Sequence, residues 1–378
     1  MNKSSWKIKK LGEVSNILMG QSPSSDFYNT EEKGLPFYQG NADFGKLHPI
    51  VRTYCTHPIR IAEARDILIS VRAPIGAINI ALGRCCIGRG LASIRAIQNK
   101  TIYKYIYYCL FFYKEKLISL GTGSTFKAIN KNILTDLNIQ IPPIDIQKQI
   151  VEELDTLSDI ITKKKEQLAE LDKLAQATFY DMFGDPIKNE KEWEMRRLEE
   201  LGDWASGGTP LRSNLLYFKG SIPWVTSGEL NSLFINDTIE HINEEAIRNS
   251  NAKLIRKGSL LIGMYDTAAL KSSINKREMA CNQAIAFSFI NTKLCNTIYV
   301  YYSIQINKEE YKKEQRGIRQ KNLNLSMIKA ISILYPPLLL QNQFAEKIEA
   351  IEQQKALINQ SITDTQLLFD YTMDKYFN

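Results

Sequence analysis

Two short segments of this chain combine glycine with hydroxyl, amide and cationic side chains. They are Gly121-Thr122-Gly123-Ser124-Thr125-Phe126-Lys127-Ala128-Ile129-Asn130 and Arg316-Gly317-Ile318-Arg319-Gln320-Lys321-Asn322-Leu323-Asn324. Glycine permits close backbone approach to a ligand. Thr122, Ser124, Thr125, Asn130, Gln320 and Asn324 supply hydrogen-bond donors and acceptors, and Lys127, Arg316, Arg319 and Lys321 supply positive charge. Those are the groups that phosphate oxygens and base edges take. A second pair of segments, containing Gln21, Ser22 and Ser24 in one case and Thr209 and Arg212 in the other, has the same polar character. Lys46, Arg72, Arg89, Thr226 and Ser227, with Asn41 and Gln283, complete the candidates for contact with a polyanion.

Groups able to break bonds are harder to find. The chain has no GxxxxGK[ST] phosphate loop, no glycine-rich dinucleotide fingerprint after a strand and no Asn-Pro-Pro-Tyr pocket for amino-methyl transfer. Asp26, Glu31 and Lys33 have the residue types of a nuclease cluster, but they stand too close together to lie on two strands of such a core, so they read as a solvated loop. His48, Cys55 and His57 lack a fourth ligand at fitting spacing, and they read as loop residues rather than a metal site. Three histidines in the whole chain are few for an enzyme that needs general bases. No catalytic residue and no metal ligand is therefore assigned. The six cysteines show no CxxC pair and read as reduced structural thiols.

Composition agrees with a binding protein. With 378 residues, 44% apolar and 24% charged, the chain can form two domains with their own cores. Its formal charge of +7 favours polyanion partners, because neutralising phosphates releases condensed counterions, although many metabolic enzymes are equally basic. No apolar run approaches the roughly 20 residues of a membrane span, so no membrane partner is expected and a cytoplasmic location is.

The elements that must position these loops are written twice. Trp6 to Leu11 recurs as Trp193 to Leu198, and Gly20-Gln21-Ser22-Pro23 as Gly207-Gly208-Thr209-Pro210, both 187 residues later. Ile67-Leu68-Ile69 answers Leu260-Leu261-Ile262 at an offset of 193; Gly123, Lys127, Asn130, Pro142-Pro143 and Gln147 answer Gly317, Lys321, Asn324, Pro336-Pro337 and Gln341 at 194. About seven extra residues sit in the middle of the second copy. Each copy reads as mostly strands, from alternating apolar residues with Gly and Pro punctuation, plus one helical stretch before the diproline. The Tyr and Phe stripes of that stretch read as core packing.

After each diproline comes a heptad seam. In the first it runs through Ile150, Leu154, Leu157, Ile161, Lys164, Leu168, Leu171, Ala175 and Thr178. The second runs through Phe344, Ile348, Ile351, Lys355, Ile358, Ile362, Thr365, Phe369 and Thr372. Equivalent positions complement one another, Lys164 with Ile358, Ile161 with Lys355 and Ala175 with Phe369. The pattern predicts two long helices packed on each other, the first with Asp145 as N-cap, roughly 58 Å long and stopped by Gly184-Asp185-Pro186. A rod of that length exceeds the roughly 34 Å of one DNA turn. The expected fold is α+β in four parts: globular 1–143, helix 144–186, globular 187–337 and helix 338–378.

These motifs together resemble the specificity subunit of type I restriction-modification enzymes. The resemblance covers nearly the whole chain: the opening Trp and Leu with GQSP or GGTP, GTGSTFKAIN, PP-x-x-x-Q at the helix start and the closing FYDMFGDP. The second copy departs from it, with RGIRQKNLN in place of the glycine-rich segment. The resemblance implies two target recognition domains, an antiparallel coiled coil fixing their separation, and a bipartite, asymmetric double-stranded DNA target. It further implies no active site and no bound cofactor in this chain. Two modification subunits, docked on the coiled coil, would use S-adenosylmethionine to methylate adenine N6, and restriction subunits would use ATP and Mg to drive cleavage. Alternatives are the specificity subunit of a related two-subunit (type IIB-like) restriction system, a nuclease or methyltransferase in its own right, and a coiled-coil scaffold that binds no DNA.

If the glycine-rich loops contact phosphates, replacing Lys127 or Lys321 by Ala weakens DNA binding across sequences and lowers the slope of log affinity against log salt by about one. Titrations over a salt series with parallel slopes would remove these lysines from the contact surface.

Overall fold

Each diproline ends a strand, because proline donates no ladder hydrogen bond, and each is followed at once by a 40-residue helix, Ile144–Phe183 and Leu338–Phe377. The computed structural model of the protein describes residues 3, 6–122, 127–265, 268–315 and 322–378, with 313–315 in backbone only. Asp145 lies inside the first turn of the central helix, where its carboxylate meets the positive end of the dipole, rather than at the N-cap. Gly184 ends that helix in the left-handed region at φ 81°, its N–H bonded to the Tyr180 carbonyl at 2.8 Å.

The PP-x-x-x-Q motif has a structural purpose. Gln147 is fully buried: its Oε1 accepts from the Thr101 hydroxyl at 2.9 Å and the Ile102 N–H at 3.1 Å, and its Nε2 donates to the carbonyls of Pro142 and Lys100. Gln341 does the same in the second copy, accepting from the Asn296 N–H and the Cys295 thiol and donating to the Pro336 carbonyl. One amide thus ties the proline turn to the start of the preceding helix in each copy.

The chain packs as two units. Unit 1 is Met1–Lys165 with Gln360–Asn378, and unit 2 is Glu166–Asn359, so each unit takes one globular segment and part of both long helices. The four-part division expected above follows the order of elements, whereas packing divides the chain inside the helices. In unit 1, Ile150, Leu154, Leu157 and Ile161 are buried in one core with Phe369, Met373, Tyr376 and Phe377. Tyr376 donates to Glu153 at 2.6 Å, so the last turns of the C-terminal helix lie beside the first turns of the central one. In unit 2, Phe344 packs on Phe179 and Phe183 with ring centroids 5.6 and 5.3 Å apart, and Lys355 reaches Asp172 at 2.8 Å. Rising numbers on one helix therefore meet falling numbers on the other, and the two run antiparallel in this unit. The remaining seam residues Leu168, Leu171, Ile358 and Ile362 are half-buried.

Antiparallel packing also corrects the expected complementarity. Repeat-equivalent residues do not face each other. Lys355 is paired with Asp172 and Glu352 rather than set against Ile161, and Phe369 packs on Tyr108 and Phe111 rather than on Ala175.

The globular parts share a topology. In unit 1 an antiparallel sheet orders Ser15–Met19, Leu91–Ala96, Ile67–Ser70 and Ile78–Ile80. In unit 2 the order is Gly202–Ser206, Ile285–Ile290, Leu260–Gly263 and Ser272–Asn275, with Phe234–Ile235 added at the edge. The aromatic helix of each unit, Tyr103–Phe112 and Thr297–Ile306, buries Tyr105, Tyr108, Tyr299 and Tyr302, as the stripes suggested. Short helices Leu11–Val14, Lys131–Thr135, Leu198–Leu201 and Leu325–Ala330 escaped the sequence reading because one turn carries too little periodicity to register.

All six cysteines are free and buried, and burial pushes the Cys86 thiol up to about 11 and Cys85 to about 12. Among the described residues no helix is long and apolar enough to cross a membrane.

Replacing Gln147 or Gln341 by Met keeps the volume and strands several buried polar groups, so each variant should lose roughly 2–4 kcal/mol of unfolding free energy. A urea unfolding midpoint unchanged from the parent would show that the buried amides do not anchor the helices.

Candidate nucleic-acid interface

In both units a set of backbone hydrogen bonds gathers several loops at one end of the main sheet. In unit 1 the N–H groups of Gly20, Gln21, Gly88, Val71 and Ile129 donate to the carbonyls of Leu91, Ile87, Tyr38, Gly90 and Val71, all between 2.8 and 3.0 Å. In unit 2 the N–H groups of Gly207, Gly208, Asn282, Met264 and Leu323 donate to those of Ile285, Cys281, Val225, Ala284 and Met264 over the same range. Every donor and acceptor of the second set is the repeat equivalent of one in the first. The loops are thereby held in one arrangement twice, by main-chain groups that any side chain leaves in place.

On this frame unit 1 carries Gln21, Arg72, Arg89, Thr122 and Lys127, all exposed, and half-buried Ser22. Thr122 and Arg72 both pair with Ala128, which brings the glycine-rich segment against the strand end at Arg72. Ser22 Oγ accepts from the Arg89 N–H at 3.2 Å. Unit 2 places Thr209, Ser227, Tyr265 and Gln283 on the matching frame, with the Thr209 hydroxyl donating to Gln283 Oε1. Ser124, Thr125, Arg316, Arg319, Gln320 and Lys321 lie outside the described residues.

Several candidates have structural partners instead. Asn130 and Asn324 are helix N-caps, their side-chain oxygens accepting from Ile133 N–H at 3.0 Å and Met327 N–H at 2.9 Å. Their recurrence at matched positions reflects a repeated cap. Arg212 forms a two-pronged pair with Glu240 at 2.6 and 3.0 Å and lies over the rings of Phe218 and Trp224, at 4.5 and 4.7 Å. The pair holds the Glu240 carboxyl below its usual range. Lys46 points to the central helix and donates to Thr162 at 2.9 Å. Ser24 bonds Asp26 within its own loop, and the Thr226 hydroxyl donates to Glu229 at 2.7 Å. These side chains serve the fold, and we set them apart from the interface.

The residues weighed for catalysis have local partners instead. Glu31 pairs with Lys33 at 2.6 Å, His48 Nδ1 lies 2.8 Å from the Ile80 carbonyl, and His57 packs against Phe27 with ring centroids 4.2 Å apart. Among the described residues no group of three or more His, Cys, Asp or Glu is placed to hold a metal ion. Sequence reasoning missed Tyr265, the partner of Arg72 in the repeat, because an isolated tyrosine after a buried strand carries no signal until the two frames are superposed.

The chain matches a family model described as "Type I restriction modification DNA specificity domain" twice, over residues 3–173 and 190–365. A curated relative, the "Putative type I restriction enzyme MjaX specificity subunit" of Methanocaldococcus jannaschii, is 41% identical over 170 residues, which are 44% of this chain and 40% of that protein. The chain thus spans about two fifths of the length of that relative. The "Type I restriction enzyme MjaIX specificity subunit" of the same organism is 23% identical over 375 residues, covering 92% of this chain and 86% of the relative. A crystal structure of the type I restriction-modification system S subunit from M. genitalium superposes over 100% of this chain and 98% of its own, at 14% identity and a TM-score of 0.67, and so shares the fold.

The capping assignment has its own test. Asn130→Ala and Asn324→Ala should each cost about 1 kcal/mol of stability while the folded variants bind DNA as the parent does. Full stability with a large loss of affinity would return these asparagines to the interface.

Proposed function

Because the chain belongs to the family of type I restriction-modification DNA specificity domains and carries two copies in tandem, we propose that it is the DNA-specificity subunit of a type I system. It reads a bipartite, asymmetric duplex target, one half-site per unit. The observation that carries this is the doubled frame: five main-chain hydrogen bonds, repeated in each unit, present two loop surfaces of one geometry and unlike side chains. Two equal surfaces on one chain suit two sites on one polymer, and unlike side chains suit an asymmetric sequence.

The frame supports a division of labour. Exposed Arg72, Lys127 and the chain's net charge of +7 provide salt-sensitive attraction to phosphates. Polar side chains at the loop tips face the groove, where donors and acceptors distinguish base pairs. Lys46, Arg212, Asn130 and Asn324 hold the scaffold behind them.

The reactions belong to other chains. Two modification subunits carry S-adenosylmethionine and methylate adenine N6; restriction subunits use ATP and Mg to cleave unmodified DNA. The long helices offer these partners a docking surface and act as a ruler, because each helix contributes residues to both units.

Selection of bound duplexes from a random pool by the full chain tests both parts of the reading. The parent should enrich two conserved blocks separated by a fixed gap of unspecified bases. A heptad inserted in each helix, after Lys164 and after Ile358, keeps the seam in register and should lengthen the gap while leaving both blocks unchanged. Altered blocks with an unchanged gap would refute the ruler, and no enrichment by the parent would refute the specificity-subunit reading.

A further inference from the structure

The two frames share a matched, solvent-facing β-turn at the end of the main sheet. In unit 1 the Leu91 N–H donates to the Gly88 carbonyl at 3.0 Å, and in unit 2 the Ile285 N–H donates to the Asn282 carbonyl at 3.2 Å. The residue at the second position of each turn is exposed and is Arg89 in one unit and Gln283 in the other. We propose that these two residues are equivalent base readers, Arg89 selecting a guanine in one half-site and Gln283 an adenine in the other. The proposal rests on the reading of the chain as a DNA-specificity subunit and names which side chains specify.

Both turns are fixed before any ligand arrives. In unit 1 the turn is bonded on three sides, Gly88 N–H to the Tyr38 carbonyl, Gly90 N–H to the Gln39 carbonyl and Val71 N–H to the Gly90 carbonyl. A Cβ on Gly90 would stand 2.4 Å from the Gln39 carbonyl oxygen, so glycine is required for this close approach. In unit 2 Asn282 replaces the first glycine, and its Oδ1 accepts from the Ala284 N–H at 3.1 Å, bracing the turn by a side chain instead. Two different local solutions hold one backbone shape.

The readers are also free for the role. Arg89 forms no ion pair among the described residues, whereas Arg95 is bound to Asp66 and Arg212 to Glu240. Ser22 engages the Arg89 main chain rather than its side chain, leaving the guanidinium fork open. At the equivalent place the Thr209 hydroxyl donates to Gln283 Oε1, which orients the amide and still leaves that oxygen a second lone pair and Nε2 both protons. An open guanidinium matches the paired O6 and N7 acceptors of guanine. An oriented amide matches the N7 acceptor and N6 donor of adenine. Arg72 and Tyr265, two residues past each buried strand, differ between the frames too, but they lie outside the turn itself.

The test selects duplexes from one random pool with the full-length parent and with Arg89→Gln, Arg89→Lys and Gln283→Arg. With Arg89→Gln one G·C pair in a single block should become A·T, a preference shift on the order of 10- to 100-fold, with the other block unchanged. Gln283→Arg should do the converse in the other block. Arg89→Lys keeps the charge and loses the fork, so it should bind with affinity close to the parent's and relax that one G·C preference. Variants that select the parent's blocks with uniformly weaker binding would mark these residues as phosphate contacts and overturn the proposal, as would a change spread over both blocks. If the parent itself enriches no two-block sequence, the underlying function fails first, and that result is distinguishable from failure of the two residues alone.

Discussion

Burial of aromatic rings at the ends of the long helices is the constraint on which the rest of the molecule depends. Phe183, at the end of the central helix, lies 4.8 Å from Tyr299 and 5.3 Å from Phe344 between ring centroids. Its repeat equivalent Phe377, at the end of the C-terminal helix, lies 5.3 Å from Tyr105 and 5.8 Å from Phe112. Each such ring removes roughly 150–250 Å² from water, and neither could be exposed at small cost. A helix rooted in one unit by its diproline and buried glutamine is therefore pinned at its far end in the other unit. Neither unit has a complete core without it.

With the helices fixed, the sheets inherit fixed starting points, and the loop ends of the sheets follow. The conserved part of the doubled structure is main-chain geometry. Five hydrogen bonds recur in both copies although the residues around them change, Gly88 to Asn282, Gly90 to Ala284 and Arg72 to Tyr265. Backbone bonds place no demand on side-chain chemistry, so the tips can vary while the frame persists. Most of the extra residues of the second copy, with the short helix Glu244–Arg248 among them, fall between the frame strands Ile222–Val225 and Leu260–Gly263 and leave the frame intact.

Much of this was legible in the residues alone, for physical reasons. A 40-residue helix has enough turns for its heptad seam to stand out, and proline and glycine mark its ends by what they cannot do. Repetition was visible because Trp6, Gly20, Pro142 and Gln147 recur in order. Direction was not: a repeat offset pairs Ala175 with Phe369, whereas antiparallel packing sets Ala175 in the core with Phe344. The candidate interface was legible only in part. Asn130 and Asn324 have the amide of a base reader and the amide of a helix cap, and only the following short helix decides between them. Arg212 and Arg89 are alike as letters; Glu240, Phe218 and Trp224 meet at Arg212 only once the loop has folded, and no periodicity in the sequence announces that.

The most direct measurement is a hydroxyl-radical footprint of the full-length chain on a duplex it selects. Two protected tracts separated by an unprotected spacer are predicted, each tract interrupted by substitutions in one unit only. A single continuous tract, or protection lost in both tracts on altering one unit, would contradict two separate readers held on shared helices.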